Sequence, residues 1–313
     1  MGSLQMGRQK VGMTMEKRSS LLIMLAAALW GGIGVFFKQL SALGFTSMQV
    51  VAIRVLTAAI TLGIVVLLVD RRLFKIRLKD IWCFIGTGMI SLAFFNWCYF
   101  TAIDKMSLAV AAILLYTSPI FVMLFSLVLF GEKLSQRKII ALILTFLGCI
   151  FVTDWLNGGG NITLSGVVIG VGAGIGYALY SIFGRFALNK GYDSMTISLY
   201  TFIFAALGTV PLSGLLQMGP MLWQPETLLP AAGLGILCCV FPFLLYTKGL
   251  AGVENGKAAI LATVEPAVAC LISFGWLNEA VTLGKLSGIV LIFCSVLLLN
   301  CQSKAQPQLS KNM

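Results

Sequence analysis

One stretch of this chain occurs twice. Ala109–Lys138 reads AVAAILLYTSPIFVMLFSLVLFGEKLSQRK, and Gly256–Lys285 reads GKAAILATVEPAVACLISFGWLNEAVTLGK. The two align without a gap at an offset of 147 residues, so that Pro119 falls on Pro266, Glu132 on Glu279 and Lys138 on Lys285. Each copy is an apolar run interrupted by a proline near its middle and closed by a polar turn carrying a glutamate. A chain made of two related apolar halves has few folds open to it, and membrane carriers built from repeats are foremost among them.

Composition narrows this further. Of 313 residues, 59% are hydrophobic and 11% charged, against about 25% charged in a soluble domain. So much apolar surface cannot be hidden in one water-soluble core, and the bilayer must serve as part of the solvent. The net charge of +11 does not indicate nucleic acid, because the basic residues stand at the ends of apolar runs instead of forming a patch. The eight cysteines follow no metal or redox spacing and read as small hydrophobes between helices; no histidine is present.

A membrane helix needs about 20 apolar residues. Ten such runs are found, approximately 20–39, 46–69, 80–102, 107–130, 137–154, 163–187, 194–217, 228–248, 256–277 and 283–301. The expected fold is an all-α integral membrane protein of ten transmembrane helices in two inverted five-helix repeats. Its parts are a polar basic tail (1–19, of which 1–14 reads as a leader or an N-terminal extension), a first repeat (20–154), a Gly-rich linker (155–162), a second repeat (163–301) and a tail (302–313). With the N-terminus inside, the inner segments carry 18 lysines and arginines and the outer ones 3, a bias that predicts both termini in the cytoplasm.

The offset of 147 extends across the halves: Trp30 pairs with Tyr177, Lys38 with Arg185, and Tyr99 with Tyr246. Five spans is an odd number, so the second half must enter the membrane upside down. Inverted repeats of this kind hold their substrate near the midplane where the halves meet.

Several motifs, Ala28-Leu29-Trp30-Gly31, Ala52-Ile53-Arg54, Tyr99-Phe100-Thr101-Ala102, Ser118-Pro119 before Gly131-Glu132, and Glu265-Pro266 before Asn278-Glu279, together resemble the EamA-type members of the drug/metabolite transporter superfamily over roughly residues 20–300. The resemblance implies a ten-helix alternating-access carrier, often a bacterial inner-membrane exporter of amino acids or related small metabolites, and not an enzyme. The substrate is left open by the family. An importer or facilitative carrier of another organic solute is the alternative. A membrane-embedded enzyme would need a nucleophile–base pair or metal ligands at one depth, and a chain without histidine and with few buried acids is poorly equipped for either.

Glu265 is the sharpest candidate. It lies about 13 Å into its span, where a carboxylate needs a partner, a cavity or a proton. Pro266 beside it cannot donate to the Ala262 carbonyl, so it and Pro119 are candidate hinges. Arg54, the one basic residue well inside a span, could pair with Glu265, bond helix carbonyls or hold a substrate carboxylate. Trp30, Asn96, Tyr99, Tyr116, Tyr177, Tyr180, Tyr246 and Thr263 are the remaining candidate substrate contacts; a polar group inside a bilayer is more often a helix–helix hydrogen bond than a ligand contact, and these residues carry more weight as a group lining one cavity than singly. Glu132 and Glu279 read as helix-end caps, and Gly166, Gly170 and Gly174 as a packing stripe. No metal or organic cofactor is expected. The partners are a small-molecule substrate and the lipid bilayer, with a proton as candidate coupling ion through Glu265; the chain would act as a monomer or homodimer.

Overall fold

The computed structural model describes residues 2–155, 162–276 and 282–300, with side chains from residue 15 onward. Residues 156–161 of the expected Gly-rich linker, and likewise Asn278, Glu279, Cys301 and the tail 302–313, lie outside the described residues. Among the described residues there is no strand, and nine helices are long and apolar enough to cross a membrane. They are Met15–Ala42, Ser47–Val69, Leu78–Lys105, Leu108–Phe130, Leu164–Asn189, Ser194–Ser213, Pro225–Leu250, Asn255–Trp276 and Leu283–Asn300, here spans 1–4 and 6–10. The fifth position is filled by Gln136–Val152. Its 17 residues reach about 26 Å, the lower limit for a crossing. The helix that carries span 1 also takes in most of the polar tail, beginning at Gly2.

The spans alternate in direction. The end at which span 1 begins is called proximal, and the end at which it finishes distal. Start signals fit the sequence: Thr46 and Gln49 form a capping box at span 2, and Ser135, Thr163 and Asp193 cap helix 5, span 6 and span 7. Gly131, at φ 65°, ends span 4 in the left-handed region that a side chain would resist.

The repeat is visible in backbone irregularities as well as in sequence. Spans 3 and 8 each contain a π-helical segment, Gly86–Ala93 and Gly233–Val240, related by the same offset of 147. A Cβ on Gly86 would stand 2.3 Å from the Phe183 ring, and one on Gly233 would stand 2.3 Å from the ring of Phe36, the symmetry mate of Phe183. The two glycines therefore seat the same aromatic contact twice. The other repeated irregularity is the proline break. Span 4 splits into Leu108–Leu115 and Ser118–Phe130, and span 9 into Asn255–Ala262 and Val264–Trp276. Thr117 and Thr263 turn their hydroxyls back onto the Leu114 and Ile260 carbonyls at 2.6 Å each, which meets part of the hydrogen-bonding demand at each break.

Helix 5 and span 10 pack together at the edge of the bundle. Gly148 and Gly288 let their backbones meet, and Thr145 bonds Ser295 at 2.8 Å. At the proximal end the buried Asp80 accepts from Arg77, Lys190 and Tyr192 at 2.8, 2.7 and 2.9 Å. This joins the loop before span 3 to the loop after span 6. The bond to the Asp80 carboxylate holds the Lys190 ammonium above its ordinary range.

Candidate functional site

The site follows from the breaks. A continuous helix satisfies its own backbone and leaves no room; a helix interrupted at mid-depth steps aside. The Gly166/Gly170/Gly174 stripe of span 6 receives the broken half of span 4: a Cβ on Gly174 would lie 2.8 Å from the Leu114 carbonyl oxygen. Span 1 bends at Gly31-Gly32, between Gly2–Gly31 and Ile33–Ala42. There Gly31 meets the backbone of Ala269 and the side chain of Val268, just past Pro266. Between these displaced segments lies one cavity of about 270 Å³.

Nine of the ten residues singled out from the sequence line that cavity: Trp30, Arg54, Asn96, Tyr99, Tyr116, Tyr177, Tyr180, Tyr246 and Glu265. Thr263 is not among the lining residues; it is buried with its hydroxyl spent on Ile260. Of the two prolines, Pro119 sits in the first turn of Ser118–Phe130 and Pro266 in the first turn of Val264–Trp276. Each stands directly after a break.

The charged pair is arranged in an informative way. Glu265 occupies the first turn of its half-helix, where the helix dipole favours an anion. Its Oε2 accepts from the Tyr177 hydroxyl at 3.1 Å, and Tyr177 is in turn held edge-on by Phe95, 5.4 Å between centroids. Arg54 is 7% exposed, and its Nε has no hydrogen-bond partner. Among the described residues no ion pair joins Arg54 to Glu265. The structure thus places a guanidinium with unused hydrogen-bonding capacity and a carboxylate around the same cavity without pairing them.

The other polar groups divide into wall and seam. Asn96 gives its amide to the Leu92 carbonyl at 2.7 Å, one turn back at the end of the π-helical segment. Tyr180 and Thr247 bond at 2.7 Å, and so do Ser181 and Tyr246. These two pairs join span 6 to span 8 on the proximal side of the cavity, with Trp30 edge-on to Phe243 and tilted against Tyr246. On the distal side the lining continues through Phe37, Val50, Phe100 and Ser273 toward the ends of their spans. The cavity therefore extends distally and is bridged proximally.

Sequence reasoning did not single out the apolar walls Phe95 and Phe243, the hydroxyls Ser91 and Ser181, or the π-helical segments. The last carried a signal, since Gly86-x-Gly88 recurs as Gly233-x-Gly235 at the repeat offset. The walls carried none, because a phenylalanine facing a cavity is indistinguishable in sequence from one facing lipid.

The sequence profile of the EamA-like transporter family matches residues 17–154 and again residues 164–301. The chain belongs to that family. Two matches at the two halves are what the inverted repeat requires, and this EamA-type chain is a multi-pass membrane transporter of small molecules. Among its relatives, an uncharacterized transporter of Archaeoglobus fulgidus is 30% identical over 67% of this chain and 75% of its own length. The uncharacterized transporter YvbV of Bacillus subtilis is 23% identical over 93% and 94%. The threonine/homoserine exporter RhtA of Escherichia coli K12 is 28% identical over 62% of each chain. A solved structure described as "Crystal structure of protein" superposes with a TM-score of 0.73 at 18% identity, covering 90% of this EamA-type chain and 95% of the other, which establishes the shared fold.

Proposed function

We propose that this transporter exports amino acids or closely related compounds across the bacterial inner membrane by alternating access, with its proximal end and both termini in the cytoplasm. The observation that carries the reading is that Arg54 and Glu265 line one cavity with no ion pair between them, Arg54 Nε having no hydrogen-bond partner. An amino acid is a zwitterion and supplies an opposite charge to both. Arg54 takes the carboxylate, for which a guanidinium is geometrically suited. Glu265, oriented by Tyr177, takes the ammonium. Trp30, Tyr116 and the neighbouring aromatic rings wall the side chain, while Asn96, Tyr99, Tyr180 and Tyr246 frame the space. The breaks at Pro119 and Pro266 allow the two halves of spans 4 and 9 to move separately. The lysine and arginine bias supports the orientation, and the threonine/homoserine export by which RhtA is named supports the direction and the substrate class.

The test is counterflow in proteoliposomes loaded with a panel of amino acids, their decarboxylated amines and their deaminated acids. Exchange is expected for zwitterions and not for either one-charge analogue. Exchange of the amines or acids with no response to zwitterions would refute the two-point reading.

A further inference from the structure

The two ends of the bundle are built from symmetry-related positions, and they are not equally equipped. At the proximal end Asn255, fully buried, stands where three spans meet. Its amide donates to Ser126 Oγ of span 4 at 3.0 Å, and its Oδ1 accepts from Arg185 Nε of span 6 at 2.7 Å. Its backbone N–H and that of Gly256 donate to the two Glu132 carboxylate oxygens at 2.6 and 3.1 Å. Glu132 thereby caps the half-helix Asn255–Ala262, whose other end is the break beside Glu265. Lys138 adds a 2.6 Å ion pair with Glu254.

At the distal end the repeat offset puts Leu108 in place of Asn255, Ser107 in place of Glu254, Lys38 in place of Arg185 and Ser273 in place of Ser126. The mate of Glu132, Glu279, lies outside the described residues. Leu108 has no side-chain donor or acceptor and is 60% exposed, while Ser273 lines the cavity. A leucine cannot join three spans by hydrogen bonds in any conformation of the distal end.

We infer that Asn255 is the centre of a latch that holds the proximal end shut, and that the inequality of Asn255 and Leu108 biases the substrate-free carrier toward the distally open state. The latch acts through the half-helix it caps. Opening the proximal end requires Asn255 to leave Ser126 and Arg185, and no equivalent bonds at Leu108 compensate on closing the distal end. The inference rests on the alternating-access reading above but not on the identity of the substrate.

The experiment uses the full chain with its eight cysteines replaced, one reporter cysteine at Ile272 in the cavity wall, and a membrane-impermeant maleimide added to one side of oriented proteoliposomes. Lys75→Cys marks the proximal side in a parallel preparation. With Asn255 in place the reporter should label from the distal side and slowly from the proximal side. Asn255→Leu should raise the proximal rate on the order of tenfold, the effect of losing a charge-assisted hydrogen bond. Asn255→Asp, which keeps an acceptor for both neighbours, should retain slow proximal labelling. A folded Asn255→Leu protein with an unchanged proximal rate overturns the latch, as does an equal rise from both sides. If Asn255→Leu does not fold, Ser126→Ala is read by the same two criteria. The probe contains no amino acid, so failure of the latch and failure of the substrate assignment are separate results.

Discussion

At the scale of single residues, the proposed substrate contacts Arg54 and Glu265 line one cavity without an ion pair between them. Burying an unpaired charge is costly, and it persists where a ligand or a proton completes it. If Arg54 receives a substrate carboxylate, Arg54→Gln should raise the apparent KM for counterflow by about tenfold to a hundredfold, the weight of a hydrogen bond to a charged group. The purified protein should keep its elution profile, because no ion pair is lost. Collapse of the protein with no separable change in affinity would mark Arg54 as structural. Glu265→Gln retains shape and hydrogen bonding but cannot titrate. With a proton as coupling ion, it should weaken binding yet preserve counterflow, and abolish net transport driven by a pH gradient. Wild-type gradient-driven flux in that variant would remove Glu265 from the coupling step.

At the scale of elements, paired irregularities matter more than the regular helix between them. Gly86 and Gly233 lie against Phe183 and Phe36 at distances no side chain could share. Overpacking a tight contact costs about 1–3 kcal/mol, so Gly86→Ala and Gly233→Ala should each lower the thermal midpoint in detergent, and by similar amounts if the repeat is energetically symmetric. Gly174→Ala should be at least as damaging, since it meets the Leu114 carbonyl, and backbone yields less readily than a ring. Gly275→Ala meets nothing within 4 Å and should be neutral or slightly stabilising, as alanine generally is within a helix.

At the scale of the whole molecule, two related halves produce a carrier whose ends differ. The family profile matches both halves, and the π-helical segments and proline breaks repeat at the same offset. Yet one end is bridged by hydrogen bonds while the cavity extends toward the other. The inverted orientation is directly testable. In a cysteine-free background, Lys75→Cys, before span 3, and Gln224→Cys, before its repeat mate span 8, should label from opposite faces of intact cells, Gln224→Cys from outside. Labelling of both from outside would dismantle the inverted topology.

The sequence alone was enough to establish the repeat, the apolar spans and the level of each candidate residue. Depth along a helix is one-dimensional: at about 1.5 Å per residue it can be counted from the span ends. That count by itself sets Glu265, Tyr177 and Trp30 near one level. The proline breaks were legible for the same local reason, a missing N–H four residues after a carbonyl. Rotation about each helix axis is another matter. In a chain apolar on all sides the hydrophobic pattern does not say which face meets lipid and which meets protein. Packing therefore decided that Thr263 turns back onto its own helix while Tyr177 reaches Glu265, and that Arg54 and Glu265 border one cavity unpaired. It also decided the hydrogen bonds of Asn255. In sequence it is one polar residue in a turn; only the meeting of spans 4, 6 and 9 gives its side-chain amide two partners and its backbone the Glu132 cap.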